Sequence, residues 1–454
     1  MRDRLEILRQ EFRPTLRLAA PLVLAELGWM TMTLVDTAMV GRLGPRAIGA
    51  VGLGSMLFYT LGIFGTGMML GLDTLVSQAF GAGKLEDCHR WLLNAVYVCL
   101  PAAPLLMGAM WLALPALGRF GINPAVLAEA VPFLKALLWS APPLLLYFAV
   151  RRYLQGMSLV KPVMFALVSA NAVNLAGDWV LIFGKLGAPA LGAAGSGWST
   201  CAARVYMLGA LAAYLLYRDR RQDLGLRRVP LAPDPARIRR LLGLGVPAGL
   251  MFSLEVGVFA LVTALAGRLD AASLAAHYVA LNVVSCTYMV PLGISSAAAV
   301  RVGQALGRGD ARAAAHAGWV AVLCGATFMS AAAVVLVAIP GPIVRIFSSD
   351  AQVIRTGSIL LAVAAVFQLF DGIQTVATGA LRGAGDTRTP MLCHLLSYWL
   401  LGLPLGYFLC FRRHWGAAGL WAGLCAALVV IGTVLLAAWA RQVRRASAVF
   451  PAAR

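Results

Sequence analysis

Charge is the first thing this sequence lacks. Only 13% of its 454 residues are Asp, Glu, Lys or Arg, whereas a soluble domain carries about 25%. With 60% of the chain hydrophobic, a water-facing surface cannot be built from what is left. Catalytic vocabulary is equally thin. The five histidines form no cluster and no HExxH, and there is no GxSxG, so a membrane hydrolase or transferase finds neither nucleophile nor metal site. The eight cysteines include no CxxC pair, which argues against a zinc site or a disulfide framework and leaves them as small packing residues. Gly81-Ala-Gly-Lys84 looks like part of a phosphate loop. Gln78 stands where its first glycine belongs, and Leu85 replaces the Ser or Thr after the lysine. Nucleotide-driven pumping is therefore not encoded, no cofactor is expected, and work must be drawn from an ion gradient.

Long apolar runs are what the sequence has in abundance, with a mean hydropathy of +0.80. A bilayer-spanning helix needs about 20 such residues, and reading windows of that length predicts twelve spans: 16–40, 47–72, 90–117, 131–154, 162–184, 192–217, 240–266, 274–300, 313–340, 352–381, 389–411 and 416–440. The expected fold class is all-α and integral to the membrane. Because the N-terminus opens with a charged segment and its first apolar stretch reaches full span length, it reads as a retained anchor and not as a cleaved signal. The net charge of +19 is distributed as topology requires. Lys and Arg crowd the loops that share a side with both termini, above all 218–240 with its eight arginines, and thin out in the alternate loops, which hold Arg119 and Lys185 among others. Arg151 and Arg152 count here among the loop charges, and Arg204 is the one cation placed deep in a span. The positive-inside rule then predicts both termini in the cytoplasm and an inner-membrane location, and it explains the basicity without a nucleic-acid partner.

A shift of 226 residues aligns the two halves without a gap from Pro21 to Gly83. Pro21 falls on Pro247, Gly41-Arg42-Leu43 on Gly267-Arg268-Leu269 and Gly67 on Gly293, while Val76, Gln78, Gly81 and Gly83 meet Val302, Gln304, Gly307 and Gly309. Two six-span lobes follow, an N-lobe over 1–217 and a C-lobe over 240–454, joined by a basic, Pro-rich linker at 218–239 that reads as a tether. Repeats of even span number are parallel, related by an axis along the membrane normal, and the substrate path is expected between them.

A carboxylate at bilayer depth costs something like 3 kcal/mol, so each one requires a reason. Glu26, Asp36, Asp178, Glu255 and Asp371 qualify, whereas Asp73 falls near a span end. The repeat acts as a control, because Asp36 aligns with Val262 and Glu255 with Trp29, so the architecture does not require acids there. Asn171, Asn174 and Asp178 lie on one helical face, as do Phe367, Asp371, Gln374 and Thr378. Such stripes suit a proton, a sodium ion or a cationic ligand, and they equally suit interhelical hydrogen bonding. An internal salt bridge is the expected role of Arg204. Aromatic and Met groups around Met32, Tyr59 and Tyr288 are candidates for a drug cavity together with Glu26 and Gln374, and equally for ordinary packing.

The chain resembles the multidrug and toxic compound extrusion (MATE) transporters, NorM branch. The resemblance is carried by Pro21 with Leu34-Val-Asp36-Thr-Ala-Met-Val-Gly41, by Val76-Ser-Gln78-Ala-Phe-Gly81-Ala-Gly83 and its echo Val302-Gly-Gln304-Ala-Leu-Gly307, by Gly156 with Lys161-Pro162, by Glu255, and by Asp371 through Leu381-Arg-Gly-Ala-Gly-Asp-Thr-Arg-Thr-Pro390. It implies a V-shaped cleft between two lobes and antiport of organic cations against protons or sodium by a monomer. It further implies ion-coupling groups at Asp36, Asn174, Asp178 and, more loosely, Thr200 in the N-lobe, and at Glu255 and Asp371 in the C-lobe, where a sodium ion could sit. Relatives often have a Tyr where this chain has Phe367, and the lost hydroxyl weakens the sodium option, while the second acid Asp178 tilts the reading slightly toward protons. Pro21 is implied as a hinge in the first span. A lipid-linked oligosaccharide flippase of the same superfamily is the competing reading, although its pyrophosphate cargo would want a cationic cavity.

Overall fold

The computed structural model describes residues 2–115 and 124–449, which leaves Arg119 outside the described residues, and every regular element within them is helical. The first half comprises α1 (Arg2–Gly41), α2 (Pro45–Met68), α3 (Gly71–Gly81), α4 (Leu85–Ala113), α5 (Pro124–Leu138), α6 (Ala141–Gly156), α7 (Val160–Phe183) and α8 (Ala193–Gln222). The second runs through α9 (Pro235–Ala266), α10 (Ala271–Gly307), α11 (Ala311–Ala338), α12 (Pro340–Arg345) and α13 (Ala351–Gly383). It closes with α14 (Arg388–His394), α15 (Leu403–Tyr407) and α16 (Ala417–Val449). Two π-helical stretches, Leu395–Gly402 and Phe408–Arg412, flank α15. Among the described residues, eleven helices are long and apolar enough to cross a membrane, or twelve if the pair α5 and α6, bent by 46°, is one span. That bend falls where Pro142 and Pro143 open α6, because neither can donate a backbone N–H to the turn before it.

Helix ends follow local chemistry. Gly83 and Gly309, one repeat apart, both take positive φ, 73° and 77°, and end α3 and α10 in the same left-handed turn. The Asp310 side chain caps α11 by accepting from the Ala313 N–H at 2.9 Å, and Asp350 caps α13 in the same manner.

The chain divides into two compact units, Leu24–Gly249 and the pairing of Met1–Val23 with Leu250–Arg454. The two division points, after Val23 and after Gly249, are themselves 226 residues apart, so the boundary obeys the sequence repeat. Within the first unit, the position of a Cβ on Gly67 lies 2.6 Å from the Gly249 Cα. Within the second, a Cβ on Gly293 would lie 2.7 Å from the Val23 nitrogen. Gly67 aligns with Gly293 and Val23 with Gly249, so one close backbone crossing occurs once in each unit and requires glycine both times.

The linker is not a slack tether. His89 of α4 donates from Nε2 to the Leu224 carbonyl at 3.0 Å, and Asn94 accepts from the Asp234 N–H at 2.9 Å. Arg237 pairs with Asp87 at 2.6 Å while its guanidinium lies 4.8 Å from the Trp91 ring centroid. The linker is thereby strapped along α4.

Replacing Gly293 by Val is expected to lower stability by about 1–3 kcal/mol through forced separation of the crossing backbones. Gly52→Ala, at a site with no heavy atom near the added carbon, should be neutral or better. Thermal unfolding of both variants in detergent checks the contrast, and equal melting points would refute the crossing constraint.

Candidate functional site

Two buried acid clusters form, one in each unit. In the first unit, α7 turns Asn174 and Asp178 inward, both fully buried. The Asn174 amide donates to Asp36 of α1 and, at 3.4 Å, to Asp178. Thr200 of α8 donates to the other Asp36 oxygen at 3.4 Å, and Ser199 donates to the Asn174 backbone carbonyl at 2.7 Å. Asn171, on the same stripe, donates to the Gly28 carbonyl of α1 at 3.1 Å. The four residues Asp36, Asn174, Asp178 and Thr200 therefore share one site, and Ser199 joins them, which sequence reading missed because a serine in an apolar helix carries no signal.

In the second unit, Asp371 and Gln374 of α13 are buried and hydrogen-bonded to each other at 3.1 Å. The Gln374 carbonyl oxygen lies 3.0 Å from Nε2 of His394, whose Nδ1 is 3.8 Å from the Glu255 carboxylate of α9. Phe367, one turn before Asp371, packs edge-on against Phe259 with centroids 6.2 Å apart and against Trp421, and its side chain has no polar atom to offer an ion. A small cavity opens beside the chain, and Tyr288, Gln374, Thr378, Glu255 and His394 all line it. His394 and the buried Tyr398, whose rings lie 5.5 Å apart, were not legible. A lone histidine in an apolar span has no motif, and only the packing of α9 and α13 against it gives it partners.

Several charges sit differently from their sequence reading. Arg151 and Arg152, counted among loop charges, are buried in α6, so Arg204 is not alone. Arg151 pairs with Glu26, and Arg152 with Asp73 at 3.4 Å. Glu26 is thus neutralised, and Asp73 is buried instead of lying at an interface. Arg204 pairs with no carboxylate among the described residues. It donates to the Ser140 hydroxyl and lies 4.6 Å from the Phe58 ring centroid, a cation–π contact, and it interacts with the Asp36 charge without forming an ion pair. Met32 is buried in the apolar core beside Trp29, whereas Tyr59 is half exposed. No group of three or more His, Cys, Asp or Glu with metal-holding geometry occurs among the described residues.

The MatE family profile matches residues 21–180 and 247–408, one match per repeat. The chain is 35% identical over 443 residues to the probable multidrug resistance protein NorM of Mesorhizobium japonicum, covering 96% of this chain and 95% of that protein. It is 32% identical to the multidrug resistance protein MdtK of Yersinia pseudotuberculosis, covering 94% of each. Among solved structures, the fold superposes on the eukaryotic MATE transporter AtDTX14 with a TM-score of 0.83 at 22% identity, covering 98% of this chain and all of that one. An outward-facing multidrug resistance MATE family transporter of the MOP superfamily superposes with a TM-score of 0.86 at 19% identity, covering 97% and 98%.

The Arg151–Glu26 pair yields a stability prediction. Arg151→Met leaves a buried carboxylate unpaired and is expected to cost about 3–5 kcal/mol, most of it recovered in the double variant with Glu26→Gln. A double-mutant cycle of thermal stabilities checks this, and additive losses would show that the two side chains do not depend on each other.

Proposed function

The chain belongs to the MatE family, and on that premise we propose that it is a secondary antiporter that exports small organic cations in exchange for protons or sodium ions. The observation that carries the reading is a difference between buried acids. Glu26 and Asp73 have arginine partners, whereas Asp36, Asp178 and Asp371 have no ion pair among the described residues, and Glu255 faces only a histidine. An uncompensated carboxylate inside a membrane protein is expensive, so these acids are suited to taking up an exchangeable cation. The names of the NorM and MdtK relatives, multidrug resistance proteins, support a drug-like cargo. Acidic clusters favour cationic cargo over the anionic cargo of a flippase.

Exchange follows when ion and cargo cannot both occupy a lobe. A ligand shifts a conformational equilibrium only through differential affinity, so the ion must favour one state and the cargo the other. Pro21 lies inside the continuous α1, two residues before the chain passes from one compact unit to the other. Its missing backbone donor makes that turn the natural place for α1 to flex. The multi-pass helices place the protein in a membrane. The inner membrane, with both termini cytoplasmic, is the arrangement the charge bias favours, and the chain is read as acting as a monomer.

Two outcomes test this. Asp36→Asn and Asp371→Asn are expected to reduce dye efflux from proteoliposomes with imposed proton or sodium gradients by about 100-fold, comparable to losing one coupling event, with the purified proteins still monodisperse. Full efflux in both variants would sink the ion-coupling role of these acids. Equilibrium binding of a cationic dye such as ethidium, measured in separate pH and sodium series, should show affinity falling as the coupling ion rises. A flat response in both series would remove antiport as the mechanism.

A further inference from the structure

We propose that His394 is a direct member of the second unit's ion site: its Nδ1 lone pair and the Glu255 carboxylate together receive the coupling cation, and Gln374 links that position to Asp371. The inference rests on the antiport reading and names a residue that reading does not require. Hydrogen-bond bookkeeping carries it. The Gln374 side-chain nitrogen donates twice, to Asp371 at 3.1 Å and to the Thr375 hydroxyl at 3.0 Å. Its oxygen is then only an acceptor, and the contact at 3.0 Å with His394 Nε2 requires the imidazole to carry its hydrogen on that nitrogen. Nδ1 consequently carries a lone pair, and the Glu255 carboxylate lies 3.8 Å from it. Two electron-rich groups facing each other inside a membrane protein are stable only with something positive between them.

Two further observations point to a ligand. His394 is 99% buried, and its Nδ1 has no hydrogen-bond partner among the described residues. The cavity at this point is lined by Glu255, Tyr288, Arg382 and His394, so a small cation has room. The titratable groups around His394 are Glu255 from α9, Tyr288 from α10 and Arg382 from α13, which line the same cavity, and Tyr398 from its own span, while Asp371 is reached only through Gln374. The π-helical turn that begins at Leu395 immediately after His394 is the type of local widening that recurs at functional sites. The shared chemistry is a monovalent cation, proton or sodium, and the experiment separates the two.

The test measures ethidium bound to the full-length protein in detergent, displaced either by a pH series without sodium or by a sodium series at fixed alkaline pH, for the native protein, His394→Phe and His394→Asn. Phe keeps the ring and removes both nitrogens, whereas the Asn amide can again present an acceptor toward Glu255. For the ion that displaces dye from the native protein, the half-displacement concentration, divided by the dye Kd, is expected to rise about tenfold or more in the Phe variant and by less than about threefold in the Asn variant, in line with what ligand-supporting residues contribute at cation sites. An unchanged ratio in the Phe variant overturns the assignment. So does an equal rise in both variants, which marks a purely structural residue. If neither ion displaces dye from the native protein, the antiport reading itself fails, and the His394 assignment falls with it.

Discussion

Close helix crossing is the constraint on which the rest depends. In hydrocarbon there is no water to drive apolar helices together, so association relies on van der Waals contact between backbones, and small residues permit it. Gly67 against Gly249 and Gly293 against Val23 are the same crossing in the two repeats, and Gly383 packs onto the Ala299 backbone in similar fashion. Gly177 lets α7 approach Ser199 of α8, whose hydroxyl then reaches the Asn174 carbonyl. The polar clusters exist because the helices carrying them are held at this range.

Given that closeness, the molecule treats its buried acids in two ways. Glu26 and Asp73 are compensated by arginines from α6, and the penalty of removing either partner makes them structural. Asp36, Asp178 and Asp371 receive amide and hydroxyl donors instead, which orient a carboxylate without cancelling its charge. That difference in compensation is the physical ground on which the proposal assigns ion exchange to the second group.

Much of the fold could be read from the chain. The twelve windows, the repeat offset and the glycines at its key points are periodic features, and periodicity survives without knowledge of contacts. The stripes on α7 and α13 were also legible, since residues three and four apart share a helical face whatever packs on it. The reading went astray where partners are distant in sequence. Arg151 and Arg152 sit near a span end and look like topology charges until α6 is packed against the helices that carry Glu26 and Asp73. The linker's composition suggested a tether, whereas His89, Asn94 and Asp87 on α4 hold it down.

Sequence by itself determined that the chain is a two-fold repeated bundle of membrane-crossing helices with a handful of acids the architecture does not need, because hydropathy, repetition and helical spacing are all local quantities. Tertiary structure alone decided which acids are neutralised, and that His394, which belongs to no motif, stands between Glu255 and Gln374. Charge compensation depends on distances of a few ångströms between residues 79 and 125 positions apart, and no one-dimensional pattern encodes them.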